Sequence, residues 1–474
     1  MDPAALSIAH AGALYRRGEI SPVEVTRACL DRIAALDPAI DAFETVTEEV
    51  ALQRAHAAEK EVRDDPDGKR PLLGIPIALK DLVETAGIAT TASSRVLAGN
   101  VPDRDAPVWQ RLRRAGAVLV GKTRTHEFAY GSSTPPTSNP WDPERIPGGS
   151  SGGSAAALAA GFCLGAVGTD TAGSIRIPSA LCGVVGLKPT YGLVPKSGVI
   201  PLSWTLDHVG PMARSPVDAA LLLDAMAGFD ASDPASTRRR GPRSSAGGGA
   251  ALGPVRVGVI ANTGATTPGV RDGLEAATAA LRDLGADLDE VVVEGWETAV
   301  DADFTILGAE AAVYHEDDLA TRPELYTDDV RGRLESGLTL DAASFVRSMR
   351  AAQAFRERFA ALLTERDLLV CPGMPCPAPL RGAASVIIEG RAVQVDRTLC
   401  RNTAISNLTG LPALALPSGF EDGLPVGVQL IGPRWREASV LAAGRALSEA
   451  LDLPSLAPAG AMPGAGSIGP PART

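Results

Sequence analysis

The chain has 474 residues, of which 45% are hydrophobic and 21% charged, with a formal net charge of −11. These are the proportions of a globular protein long enough for a large core. The acidic balance speaks against nucleic acid as a partner, because phosphate binding needs a basic face, and the one dense basic run, TRRRGPR at 237–243, lies among Ser, Gly and Pro as a solvated loop would.

The N-terminal MDPAALSIAHAG lacks a basic stretch followed by an apolar one. No run reaches about 18 apolar residues, so no membrane association and a cytoplasmic location are expected. Residues 21–37 read as a helix: Ser21 caps, Pro22 takes the first helical position and Glu24 completes a capping box. Val25, Cys29, Ile33 and Leu36 share one face, and Pro38 is expected to follow the end. GIPIALKD (74–81) and AVLVGKT (117–123) are buried strands in type, the second preceded by the helix of APVWQRLRRAG. CLGAVGTD (163–170) and GVVGLKPT (183–190) extend the series, with helical SAAALAAG before them.

Residues 229–253 are polar and of low complexity and read as a surface loop or seam. Alternation then resumes with VRVGVI (255–260), the helix of DGLEAATAALRDLG, and a long amphipathic helix carrying Phe345, Met349, Ala352, Phe355, Phe359 and Leu362 on one stripe. The strand-like DLLVCP, PALALPSG and PVGVQLIG precede a last helix near 436–451. Short apolar strands alternating with helices predict an α/β fold, a large mixed sheet sandwiched by helices. A single domain over 1–453 with a flexible Pro/Gly/Ala-rich tail at 454–474 is the expected organisation.

Six cysteines with no zinc or redox spacing and five scattered histidines without HExxH predict no metal and no cofactor. Only six lysines stand against 39 arginines, so a lysine in apolar sequence, such as Lys80, draws notice.

IPGGSSGGSAAALAAG (146–161) admits three readings. As a linker it fails, because it runs straight into helical and buried sequence. As a phosphate loop it lacks the following lysine and a preceding strand. As a catalytic loop it has two forms. GGSSG matches GxSxG, the nucleophile elbow, but WDPERIP is no strand, and His208 and His315 sit in no recognisable triad context.

The other form joins GIPIALKD, GKTRTHEFAYG, NPWDPERIPGGSSGGSAAALAAG, GTDTAGSIRIPSALCGVVGLKPT, LDHVGPMARS and NLTGLPALALPSGFEDGLPVGVQLIGP. In this order, across about 74–433, they resemble the amidase signature family. The resemblance implies that fold and a Ser–Ser–Lys triad: Ser174 as nucleophile, Ser150 as bridge and Lys80 as base. It also implies a cis Gly149–Ser150 peptide and an oxyanion hole formed by the N–H groups of Thr171, Ala172, Gly173 and Ser174. Lys80 must be neutral to act; deprotonating an ordinary lysine at pH 7 costs about 4.6 kcal/mol, and apolar surroundings lower that cost. Asp81 would oppose this if it faced the amine, so it is expected to face elsewhere. Gly131 and Ser132 are expected near the acyl group, Asp170 and Arg176 as an ion pair behind the nucleophile, and Ser151 and Ser154 as local hydrogen bonders.

Ala172 stands where the family often has glycine, and the loop GSSTPPTSNPWD is shorter than usual, which bears on pocket size. The implied activity is hydrolysis of small or aryl amides, with esters and carbamates open to the same acyl-enzyme chemistry. A glutamine amidotransferase-type subunit working with a partner, or a non-catalytic binding subunit, are the alternatives. A monomer or homodimer acting on a small molecule is expected.

Overall fold

In the computed structural model, residues 2–65, 67–239, 254–454 and 456–457 are described. Residues 240–253 of the expected seam, and 455 and 458–474 of the expected tail, lie outside the described residues.

The sequence reads a capping box at Ser21, and the structure has it: the Ser21 hydroxyl accepts from Glu24 N–H while the Glu24 carboxylate accepts from Ser21 N–H at 2.7 Å. The helix does not stop before Pro38 but runs from Pro22 to Ile40. Proline costs a helix one backbone hydrogen bond and a clash with the preceding turn. Here it sits within the last turn, and Asp41, left-handed at φ 58°, ends the helix.

The apolar runs become strands: β1 (Phe43–Val46), β2 (Pro76–Lys80), β3 (Val118–Thr123), β4 (Gly165–Asp170) and β5 (Val185–Lys188). They are followed by β6 (His208–Ala213), β7 (Arg256–Ile260), β8 (Asp287–Val291) and β9 (Leu368–Pro372). A separate hairpin of β10 (Ser385–Ile388) and β11 (Arg391–Gln394) precedes β12 (Ala413–Glu421) and β13 (Leu424–Ile431). Eleven of these form one sheet in the order β1-β3-β2-β4-β6-β5-β12-β13-β9-β7-β8. It is mixed: β3, β2 and β4 run parallel, as do β9, β7 and β8, and the remaining pairings are antiparallel.

Period-2 alternation divides the strand side chains between two faces. Ile77, Leu79, Leu119, Val167, Leu414 and Leu416 join one apolar cluster, with the helices Pro216–Met226 and Glu437–Leu451 against it. Ala78, Val118, Val120 and Ala166 join another, with the alanine-rich helix Gly152–Ala159. Lys80, two residues beyond Ala78, repeats that direction and so points toward the glycine-rich loop. The amphipathic stripe forms the helix Ala342–Glu365, which buries Ala352, Phe355 and Phe359.

Candidate active site

β2 and β4 are parallel neighbours, so their carboxyl ends bring Lys80 beside Thr169. The Lys80 ammonium is wholly buried and touches three hydroxyls: Ser150 Oγ at 2.7 Å, Thr169 Oγ1 at 2.8 Å and Ser151 Oγ at 3.0 Å. Burial away from water lowers its pKa to about 7, against the pull of the Asp207 and Asp170 carboxylates, which favour the charged form. Asp81 does face elsewhere. Its carboxylate accepts from the Thr91 N–H and hydroxyl and lies 3.2 Å from the Lys122 ammonium.

The glycine-rich loop is packed rather than loose. The Gly149–Ser150 peptide is cis, and a Cβ on Gly149 would stand 2.1 Å from the Ser133 carbonyl oxygen. Thr134 Oγ1 donates toward the Gly148 and Ser150 carbonyls and accepts from Gly152 N–H, fixing the loop at the start of its helix. Ser151 does more than bond locally, because besides engaging the Thr169 main chain it accepts from Lys80. Ser154 pairs with Thr123 Oγ1 at 2.7 Å.

Ser174 lies in the turn after β4, joined to the loop by a bond from Ser151 N–H to its carbonyl. Its hydroxyl makes no hydrogen bond to another described residue and faces a cavity of about 870 Å³. Gly173 has φ 135°, and a Cβ there would lie 2.2 Å from Thr403 Oγ1, so this turn admits only glycine at that position. Its carbonyls are engaged: Ala172 O by the Thr403 hydroxyl, Gly173 O by Ile177 N–H and Ser174 O by Ser151 N–H.

Behind the turn, Asp170 and Arg176 form a fully buried, two-pronged ion pair at 2.8 and 3.0 Å. Burial by itself would raise the Asp170 pKa, but the guanidinium holds it well below the usual carboxylate range. The remaining Arg176 donors go to Thr403 O, Gln429 Oε1 and Asn407 Oδ1. Asn407 also donates to Asp170. All five guanidinium donors are thereby satisfied. Asp207 in turn accepts from the Thr171 hydroxyl at 2.7 Å and from the N–H groups of Leu202 and Ser203. Thr169, Asp207, Thr403, Asn407 and Gln429 are the partners that sequence reasoning did not single out. Most lie inside or beside the family's motif segments, where adjacency to Asp170 was the available signal for Thr169.

Thr171, Ala172, Ser174, Gly131 and Ser132 line the cavity together. Its other wall comes from the helices Ala299–Tyr314, Asp328–Leu338 and Val395–Cys400. The elbow reading fails here. The residues before Gly148 are irregular rather than a strand, His208 Nδ1 bonds Leu206 O, and His315 Nδ1 bonds the Tyr326 hydroxyl. No helix among the described residues is long and apolar enough to cross a membrane.

Residues 24–441 match the family model described as Amidase. The chain is 41% identical to an amidase of Pseudomonas putida, covering 94% of this chain and 96% of that one. It is 39% identical to a glutamyl-tRNA(Gln) amidotransferase subunit of Symbiobacterium thermophilum, covering 92% and 95%. A bacterial aryl acylamidase belonging to the amidase signature enzymes shares the fold with a TM-score of 0.84 at 25% identity, covering 94% of this chain and 96% of its own.

Proposed function

This chain belongs to the amidase family of hydrolases acting on the C–N bonds of amides, and from that premise we propose that Ser174 is its nucleophile, Ser150 the proton bridge and Lys80 the base. The observation that carries the reading is a buried lysine surrounded by hydroxyls instead of carboxylates, with Ser150 at 2.7 Å. Proton bookkeeping supports the direction of transfer. The Ser151 hydroxyl donates to the Thr169 carbonyl, so it must accept from Lys80. A neutral amine has two N–H groups and one lone pair. With its N–H groups on Ser151 and Thr169, the lone pair is left for the Ser150 proton.

Ser150, thus relieved, takes the proton of Ser174, whose oxygen forms a bond to the substrate carbonyl carbon. The negative charge that develops on the carbonyl oxygen is met by N–H groups of Thr171, Ala172, Gly173 and Ser174, in a turn whose Ala172, Gly173 and Ser174 carbonyls are engaged elsewhere. Each such donor is worth roughly 2.7–4 kcal/mol in the transition state. Collapse breaks the C–N bond, and the proton held on Lys80 returns through Ser150 to the leaving amine. Water, deprotonated by the same relay, then releases the acid. Asp170 and Arg176 hold the turn in place from behind, and Gly131 and Ser132 flank the acyl group.

The substrates are small or aryl amides, and esters and carbamates enter the same cycle because only the leaving group changes. A second reading, an amidotransferase-type subunit that takes ammonia from glutamine and works with a partner, is favoured by the likeness to the Symbiobacterium protein. Assay of the purified chain on anilides, phenyl esters, phenyl carbamates and glutamine separates the two. Partner-free turnover of anilides that Ser174→Ala abolishes supports the hydrolase. Turnover restricted to glutamine points to the second reading.

A further inference from the structure

The cavity at Ser174 is lined by apolar side chains, including Tyr130, Ile177, Leu202 and Phe304, and by charged ones. Its charged residues are Asp301, Asp328, Asp329, Asp396, Arg333 and Arg397, all on the wall of three helices. Four carboxylates thus face two guanidiniums, and neither guanidinium is free. Arg333 Nε donates to Asp329 at 3.0 Å, and its Nη2 donates to Asp396. Arg397 Nη2 donates to Asp301.

Asp329 and Asp396 are ionised at neutral pH. Although burial pushes their pKa values up, Asp329 is held at about 2 by His126 and Arg333, and Asp396 is lowered by Arg333 and the Ser132 hydroxyl. Asp396 is also tied to the acyl side of the cavity, since it accepts from the Ser132 hydroxyl and N–H. The Asp328 side chain is 94% exposed, with Arg331 as its partner at 2.8 Å, and the Asp301 side chain is 63% exposed.

We propose that this wall selects amides by the charge at the far end of the acyl chain, favouring an ammonium group over a neutral one and disfavouring a carboxylate. The inference rests on the hydrolase reading above and names its substrate class as cationic or neutral acyl amides. An entering carboxylate meets an excess of like charge, and every cation lining the cavity among the described residues already has a carboxylate partner. An entering ammonium finds carboxylate oxygens still open to solvent at Asp301 and Asp328. The effect is moderate, because partly exposed charges are screened by water and salt.

The test uses three p-nitroanilides of equal acyl length: 5-aminopentanoyl, hexanoyl and glutaryl. In low salt, kcat/KM should fall from the ammonium to the neutral to the carboxylate substrate, by roughly threefold to tenfold per step. Added salt should compress the series. Asp301→Asn releases Arg397 and should raise the glutaryl-to-hexanoyl ratio several-fold, a change that a purely structural role for Asp301 would not produce. Equal rates for all three, or fastest turnover of the glutaryl substrate, overturns the charge selection while leaving the hydrolase standing. No turnover of any of the three by folded enzyme, with glutamine hydrolysed instead, overturns the hydrolase reading and the selection with it.

Discussion

Lys80 and Lys122 stand on adjacent parallel strands, β2 and β3, and both are wholly buried. Their surroundings differ in one respect. Lys122 has a carboxylate, Asp81 at 3.2 Å, together with the Thr90 hydroxyl at 2.6 Å. Lys80 has hydroxyls alone. Burial depresses both lysines, but Asp81 pushes back on Lys122 by direct contact, whereas Asp207 and Asp170 act on Lys80 only from a distance. A buried ion pair holds its charge and serves the fold. A buried amine among hydroxyls sheds its proton near neutral pH and can work as a base.

Exchanging the two roles by mutation gives the largest effects. Lys80→Met should reduce kcat by about a thousandfold to ten-thousandfold, as loss of a proton-transfer group does, with the circular dichroism spectrum retained. Equal loss from Lys122→Met in folded protein would break the distinction. Lys122→Met should instead destabilise the fold by about 3–5 kcal/mol, because it strands the Asp81 carboxylate in the interior. Urea denaturation measures this, and adding Asp81→Asn should recover most of it.

The pH profile sharpens the contrast further. As the proposed base, Lys80 would act when neutral, so kcat/KM should climb tenfold per unit below pH 7 and level off above about 7, the pKa of the buried amine. A limb near pH 10 would mean that the base is an ordinary lysine. The smallest effect comes from Asp207→Asn. Asp207 favours the protonated amine, so removing its charge lowers the Lys80 pKa and should move the acid limb toward lower pH by about half a unit. A shift toward higher pH would contradict the assigned sign.

Much of the fold, and the segments that meet at the candidate site, were legible in the sequence. β2, β3 and β4 are continuously buried and open on short apolar runs that end in polar residues, and the capping box at Ser21 is a local signal that needs no tertiary context. Lys80 stands out because lysine is rare in the chain and follows an apolar run. β8 was not legible, since the edge strand DLDEV carries charge on both sides and only its last residue is buried. The charged wall was equally hidden. Its residues come from helices far apart in sequence, and Arg333 gains meaning only when folding sets it between Asp329 and Asp396. Asn407 and Gln429 lie within the C-terminal motif segment, but nothing local shows that both reach Arg176. Pro38 misleads for the opposite reason, being a strong local stop signal that the last turn of a helix tolerates.

The relay from Lys80 through Ser150 to Ser174 is tested most directly by labelling with a fluorophosphonate probe, followed by intact-mass measurement and peptide mapping. One adduct on Ser174 in the native chain, absent from Lys80→Met protein that remains folded, is the predicted result. An adduct on Ser150, or labelling of Ser174 that is indifferent to Lys80, would contradict it.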